Sequence, residues 1–221
     1  DEFRLSKAEA FDTVRNDPRS VELLAKLHDY AQKLSRTRRE AGRIPEGWVP
    51  SASTTFQSLR TMLADRDPQL FKEDSDSPID RDYTVRTRRG IARAVASLRY
   101  IAAHSGDAAT KADAEWEALQ ASTQLVSAYQ TAWDVEESQQ LVAACDRVLS
   151  QPQPIERRNQ ALLYKAFAIG RSALPSEWKW DSDDPPTPNC KSSLPLLEPL
   201  CQSPSNDRVA IIARAERARC L

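Results

Sequence analysis

Histidine-based proton transfer has two candidates in this chain, His28 and His104. His28 falls among Leu24, Leu27 and Ala31 on the apolar side of a helix-periodic run, where an imidazole is expected to pack rather than act as a base. His104 falls near a predicted helix C-terminus, where the helix dipole favours an imidazolium. Neither has a nucleophile at a useful spacing. Ser176-Glu177-Trp178-Lys179 matches the Ser-x-x-Lys pattern of a serine nucleophile with a lysine base, but it lies in a stretch that reads as a loop, not as a helix start. Glu115, Glu117, Glu136 and Glu137 could supply an acid and a base, although carboxylates on helices serve solubility unless a pocket raises a pKa. The chain has no glycine-rich phosphate loop, His-Glu-x-x-His, Cys-x-x-Cys or nucleophile elbow. The acidic runs 74–82 and 181–184 lack the alternating ligands and central glycine of a calcium loop. Neither a metal nor a cofactor is therefore expected.

Residues suited to recognition are better represented. Arg86, Arg89 and Arg93 recur at three and four residues, so on a helix they share the side opposite Ile91 and Leu98 and form a basic ridge, with Arg88 and Arg99 nearby. Such a ridge would dock an acidic partner or a phosphate; the competing reading is a solvated face paired with acidic loops. Arg214, Arg217 and Arg219 invite the same two readings near the C-terminus. Trp178 and Trp180 stand among prolines 175, 185, 186 and 188 and the acidic Glu177, Asp181, Asp183 and Asp184. An indole buries much area for little entropy loss, so this pair is expected either to anchor a partner or to fold down as a lid between neighbouring helices.

Composition narrows the classes. Lys plus Arg number 31 against 32 Asp plus Glu, a net charge of -1, so no global field argues for nucleic acid or an anionic membrane. No apolar run approaches the ~20 residues that span a bilayer, and membrane insertion is not expected. At 221 residues the chain can bury a real core. One domain over 1–221 is expected, with 66–82 as the one place for a subdivision. Five glycines beside abundant alanine and arginine suit helices better than sheets.

The elements that must carry these residues read as helical hairpins. Leu141, Ala144, Cys145 and Val148 give one apolar face, Pro152 and Pro154 interrupt it, and Leu162, Leu163, Ala166, Phe167 and Ile169 give a second before Gly170. Leu194, Leu197, Leu200 and Cys201, then a break at 203–206, then Val209, Ile212, Ala213 and Ala215 repeat the order. Upstream, Ile91, Ala94, Val95, Leu98, Ile101 and Ala102 form the clearest stripe; Ser105-Gly106 ends it, Asp107 caps the next helix, and Leu119, Leu125, Val126 and Tyr129 continue it to about Trp133. Residues 6–41 read as a further hairpin. It opens with a capping box at Ser6 and Glu9, turns at Asp17-Pro18, buries Val21, Leu24, Leu27, His28, Ala31 and Leu34, and stops at Gly42. Trp48 is placed in a loop, packed back onto a helix; Phe56, Leu59, Met62 and Leu63 mark a helix ending near Asp67-Pro68; and 175–191 reads as a long Trp- and Pro-rich insertion.

An antiparallel hairpin sets the start of its first helix beside the end of its second, which brings Cys190 to Cys220. Cys145 and Cys201, on the first helices of neighbouring hairpins, would also meet; the alternative is that a buried cysteine is simply a small hydrophobe. The chain opens on Asp1 rather than Met, which fits either removal of a signal peptide or a trimmed product. With an even number of cysteines, the expectation is a secreted or periplasmic protein with disulfides, and otherwise a cytoplasmic one.

The segments 194–221 and 144–168 resemble the tetratricopeptide repeats, with Pro152 in the turn and Ala161, Tyr164 and Ala166 where such repeats place small and aromatic residues; residues 6–34 share the resemblance more faintly. The resemblance implies an all-α, short and irregular solenoid whose stacked hairpins offer a concave surface to another protein or a peptide, without catalysis. Trp178, Trp180, Arg86, Arg89 and Arg93 are the expected binding residues. Two other functions remain open: an all-α enzyme, such as a lyase, mutase or glycan-cleaving enzyme, that holds an anionic substrate on the arginine ridge; or an inhibitor or immunity protein of a secreted enzyme, acting through the acidic loop. A pocket gathering arginine and glutamate from different helices would favour the enzyme.

Overall fold

The computed structural model describes residues 17–67, 70–71, 79, 82–127, 133–173, 190–202 and 207–220. Among them the chain is all-α. The helices are α1 (Pro18–Ala41), α2 (Phe56–Asp65), α3 (Tyr83–His104), α4 (Ala108–Ser127), α5 (Val135–Leu149), α6 (Ile155–Arg171), α7 (Cys190–Cys201) and α8 (Arg208–Arg219). Their starts follow the local chemistry. Asp17, Asp82 and Asp207 each accept a hydrogen bond from a backbone N–H at a helix N-terminus, Asp107 accepts from Thr110 N, and Thr55 and Ser58 exchange the two bonds of a capping box.

From α3 onward each helix packs against the next, α3 on α4, α4 on α5, and so on to α8, while α1 and α2 both lie against α3. A two-residue parallel bridge, Trp133–Asp134 with Ser172–Ala173, ties the start of α5 to the end of α6. Three apolar clusters run along this series. Leu59, Leu70, Ile91, Val95 and Leu98 form the first with Ala118 and Leu125. Leu119, Leu141, Cys145 and Val148 form the second with Ala161, and Leu163, Ala166, Leu197, Leu200 and Ala213 form the third. A fully buried leucine contributes roughly 1.5–3 kcal/mol, so these short stripes supply most of the cohesion between helices.

Several expectations change here. The stripe of α1 is not buried by the described residues: Val21 is 50% exposed, Leu24 53% and Leu27 55%. His28 is exposed and shares a hydrogen bond with Gln32. Of α1, only Ala41 is buried; the expected covering helix at 6–16 lies outside the described residues. On α8 Ala213 is buried and Val209 and Ile212 pack half-buried against the third cluster, as expected; Ala210 and Glu216 are buried beside them, and Ala215 is exposed. Cys190 and Cys220 are joined as the hairpin geometry demands. Cys145 and Cys201 are both free, because Cys145 is packed in the second apolar cluster and Cys201 stands against the third. Burial pushes the Cys145 thiol up to about 12, with Asp146 adding to the effect, so it behaves as a small hydrophobe.

The helices converge on Arg88. This side chain of α3 is 2% exposed. Its Nε donates to the Arg38 carbonyl at 2.8 Å, its Nη1 to the Leu125 carbonyl, and its Nη2 to Glu137 Oε1. The two carbonyls sit in the last turns of α1 and α4, the part of a helix whose carbonyls most need outside donors, and Glu137 sits in the first turn of α5. One guanidinium thus satisfies two helix C-termini and pairs with an acid at a helix N-terminus, and all three placements agree with the helix dipoles. Gly42 ends α1 against it. Its φ of -85° needs no glycine, but an added Cβ would fall on the Arg88 guanidinium, whereas one at Gly106 would meet nothing within 4 Å. Gly42→Ala is therefore expected to lower stability by about 1–3 kcal/mol through overpacking, with Gly106→Ala close to neutral. Chemical denaturation of the two variants beside the parent checks the contrast.

Candidate functional site

The residues that could hold a ligand gather where α1 ends and the 42–55 loop crosses α3. Trp48, in that loop, donates from Nε1 to Ser97 Oγ at 2.9 Å, and Ser97 in turn donates to the Arg93 carbonyl. The indole is thereby fixed on α3 while 36% of its surface stays exposed, and the Arg93 guanidinium lies 5.7 Å from its ring centroid. Beside it is a cleft of about 270 Å³ lined by Trp48, Arg43, Arg89, Arg93, Glu40 and Thr37, among others. Three of these side chains are arginines against one glutamate, and with Arg43 also paired to Glu136 the lining keeps an excess of positive charge from Arg89 and Arg93.

A second cleft of about 260 Å³ shares Glu40 and Arg43 with the first and continues past Arg36 and Arg39 to Glu136 and Glu137. Here the charges are balanced. Arg43 Nη2 donates to Glu136 Oε2 at 2.9 Å, and Glu137 is held by Arg88. The other two candidate acids are also paired across helices, Glu117 with Arg60 and Glu115 with Arg147, each at 3.3 Å. All four carboxylates therefore meet guanidiniums from other segments of the chain. Their visible work is to tie those segments together.

Of the expected binding residues, Arg89 and Arg93 line the first cleft and Arg86 lies outside its lining, half-buried on α3. Trp178 and Trp180 lie outside the described residues, as do Ser176, Lys179 and the acidic residues 74–78 and 181–184. His104 stacks on Tyr100 and hydrogen-bonds its carbonyl, away from both clefts. Sequence reasoning missed Trp48 as a cleft wall and Arg88 as a buried hub. Arg88 does carry a signal: it stands three residues after Val85 and three before Ile91, on the buried side of the helix.

Among the described residues no helix is long and apolar enough to cross a membrane, and no group of three His, Cys, Asp or Glu is placed to hold a metal ion. Compared with known proteins, the chain matches no family model, no curated sequence and no solved structure at a significant level.

The outer wall of the cleft depends on how α1 is docked. Arg38 on α1 grips Asp82 with two bonds, Nε to Oδ1 at 3.2 Å and Nη2 to Oδ2 at 2.9 Å, while Asp82 also caps α3 through Thr84 N and Val85 N. The Arg38 bond, opposed by burial and aided by the Val85 and Thr84 amides, holds the Asp82 carboxyl below its ordinary value. A lowered carboxyl pKa stabilises the fold above the unfolded value of ~3.9, and that contribution is lost as pH falls through the folded value. Asp82→Asn is expected to cost on the order of 1 kcal/mol at neutral pH, with the gap to the parent closing below about pH 4. Unfolding curves of both proteins across that range test it.

Proposed function

We propose that this chain is a non-enzymatic recognition module whose helical hairpins stand in file as a short, irregular, tetratricopeptide-like solenoid, and that it binds an acidic segment of another protein. Support for the architecture comes from the serial packing from α3 to α8, with further contacts of α4 with α6 and α6 with α8. The observation that carries the function is the cleft in which Arg43, Arg89 and Arg93 surround a fixed, half-exposed Trp48. Guanidinium forks take carboxylates with two parallel bonds, and an indole face takes the apolar part of the same segment. Export to an oxidising compartment is part of the proposal, supported by the Cys190–Cys220 bridge.

An enzyme acting on an anionic substrate is the second reading, favoured by the meeting of arginine and glutamate from different helices in the second cleft. It is the weaker one, because Glu136 and Glu137 already accept from Arg43 and Arg88 in pairs that join separate segments of the chain.

Calorimetric titration with a synthetic peptide rich in aspartate and glutamate, carrying one central leucine, tests the recognition reading. Binding is expected to weaken roughly tenfold or more in the Arg89→Gln, Arg93→Gln double variant and to fall with added salt, while Arg217→Gln leaves it unchanged. Equal affinity in the double variant, or no binding by the parent, would count against it.

A further inference from the structure

We propose that Arg99 and Arg147 form a binding site for a small oxyanion of the phosphate or sulfate class, separate from the Trp48 cleft. Arg147 on α5 is paired with Glu115 on α4, and Arg99, on the adjoining helix α3, lies within electrostatic reach of both. Arg147 Nε lies 3.3 Å from Glu115 Oε2, an ion pair that lacks the alignment of a hydrogen bond. Nε and Nη2 of Arg99, and Nε and Nη2 of Arg147, are closed to solvent and have no acceptor among the described residues. Among the described residues Glu115 is the carboxylate that pairs with Arg147 and attracts Arg99, and several polar N–H groups of the two guanidiniums have lost water without gaining an acceptor. A buried polar group in that state is costly, and a native fold ordinarily supplies what it needs.

The electrostatics agree. Burial first, and then repulsion from Arg147, lower the Arg99 pKa to about 10, against the attraction of Glu115. A doubly charged tetrahedral oxyanion would answer both the repulsion and the missing acceptors, bringing negative charge and acceptors directed at two forks at once. The Arg147 side chain is 34% exposed, so the ion enters from its side. A chloride ion brings the charge but not the directed acceptors, and it should bind far less well.

The test is isothermal titration of the full chain with inorganic phosphate, at constant ionic strength set with sodium chloride. Saturable binding of one phosphate per chain is expected. Arg147→Gln should weaken it roughly tenfold or more, since it removes one fork, and Arg99→Gln should do the same. The exposed Arg158→Gln should leave it unchanged. Both site variants relieve like-charge repulsion and are expected to fold; thermal unfolding without phosphate should show midpoints at or above that of the parent. Phosphate also stabilises proteins in general by exclusion from their surfaces, but that effect is common to all the variants and does not saturate. No saturable binding by the parent, or unchanged affinity in Arg147→Gln, would overturn the proposal. So would binding that survives both site variants and disappears in the Arg89→Gln, Arg93→Gln protein, since the ion would then sit in the Trp48 cleft.

Discussion

A single buried guanidinium, that of Arg88, is what the arrangement of the first half of this molecule depends on. Placing a charge at 2% exposure is expensive unless every donor finds a partner. Here the cost is offset by groups with the same problem, the carbonyls of Arg38 and Leu125 at two helix ends and the Glu137 carboxylate at a third. The contact is therefore directional in a way that the apolar clusters are not. Leucines and alanines hold α3 to α4 without directed bonds, whereas the fork of Arg88 ties one defined atom at the ends of α1 and α4 and at the start of α5 to α3.

The consequence for the candidate site is that its walls are set by charge more than by apolar burial. Of the α1 stripe only Leu34 is even half-buried; the end of the helix is held by Arg38 on Asp82, by Arg43 on Glu136 and by the fork on the Arg38 carbonyl. Glu40 and Arg43, at this end, line both clefts, and Arg89 and Arg93 face them from α3. A ligand that bound between these walls would couple directly to the docking of α1. Conditions that loosen the ion pairs would open the cleft before they disturbed the hairpins from α5 onward, whose cohesion is mainly apolar.

Much of the fold was legible because its signals are local. Pro152 marks the α5–α6 turn, Asp17 and Asp107 sit at the helix starts they were expected to cap, and the pairing of Cys190 with Cys220 follows from a hairpin's geometry alone. What was not legible is what depends on distant partners. The stripe on α1 reads as buried by periodicity, but periodicity names a face and not what covers it. Within Arg86, Thr87, Arg88 and Arg89 the residue types do not distinguish a hub from a solvated side chain, and only the helical phase of Val85 and Ile91 singles out Arg88. Trp48 as a cleft wall depends on Ser97, 49 residues away, which no local pattern connects to it. The second expected bridge failed for a similar reason: Cys145 and Cys201 occupy comparable places in their hairpins, yet each faces its own core.

Hydrogen exchange followed by mass spectrometry, on the parent and on Arg88→Gln, tests this account most directly. Loss of the fork should release protection together at the end of α1, the end of α4 and the start of α5, three segments far apart in sequence, while α7 and α8 exchange as before. Protection lost evenly along the whole chain, or confined to the neighbours of residue 88 on α3, would show that these helices are held by their apolar faces and that the central role given to Arg88 is wrong.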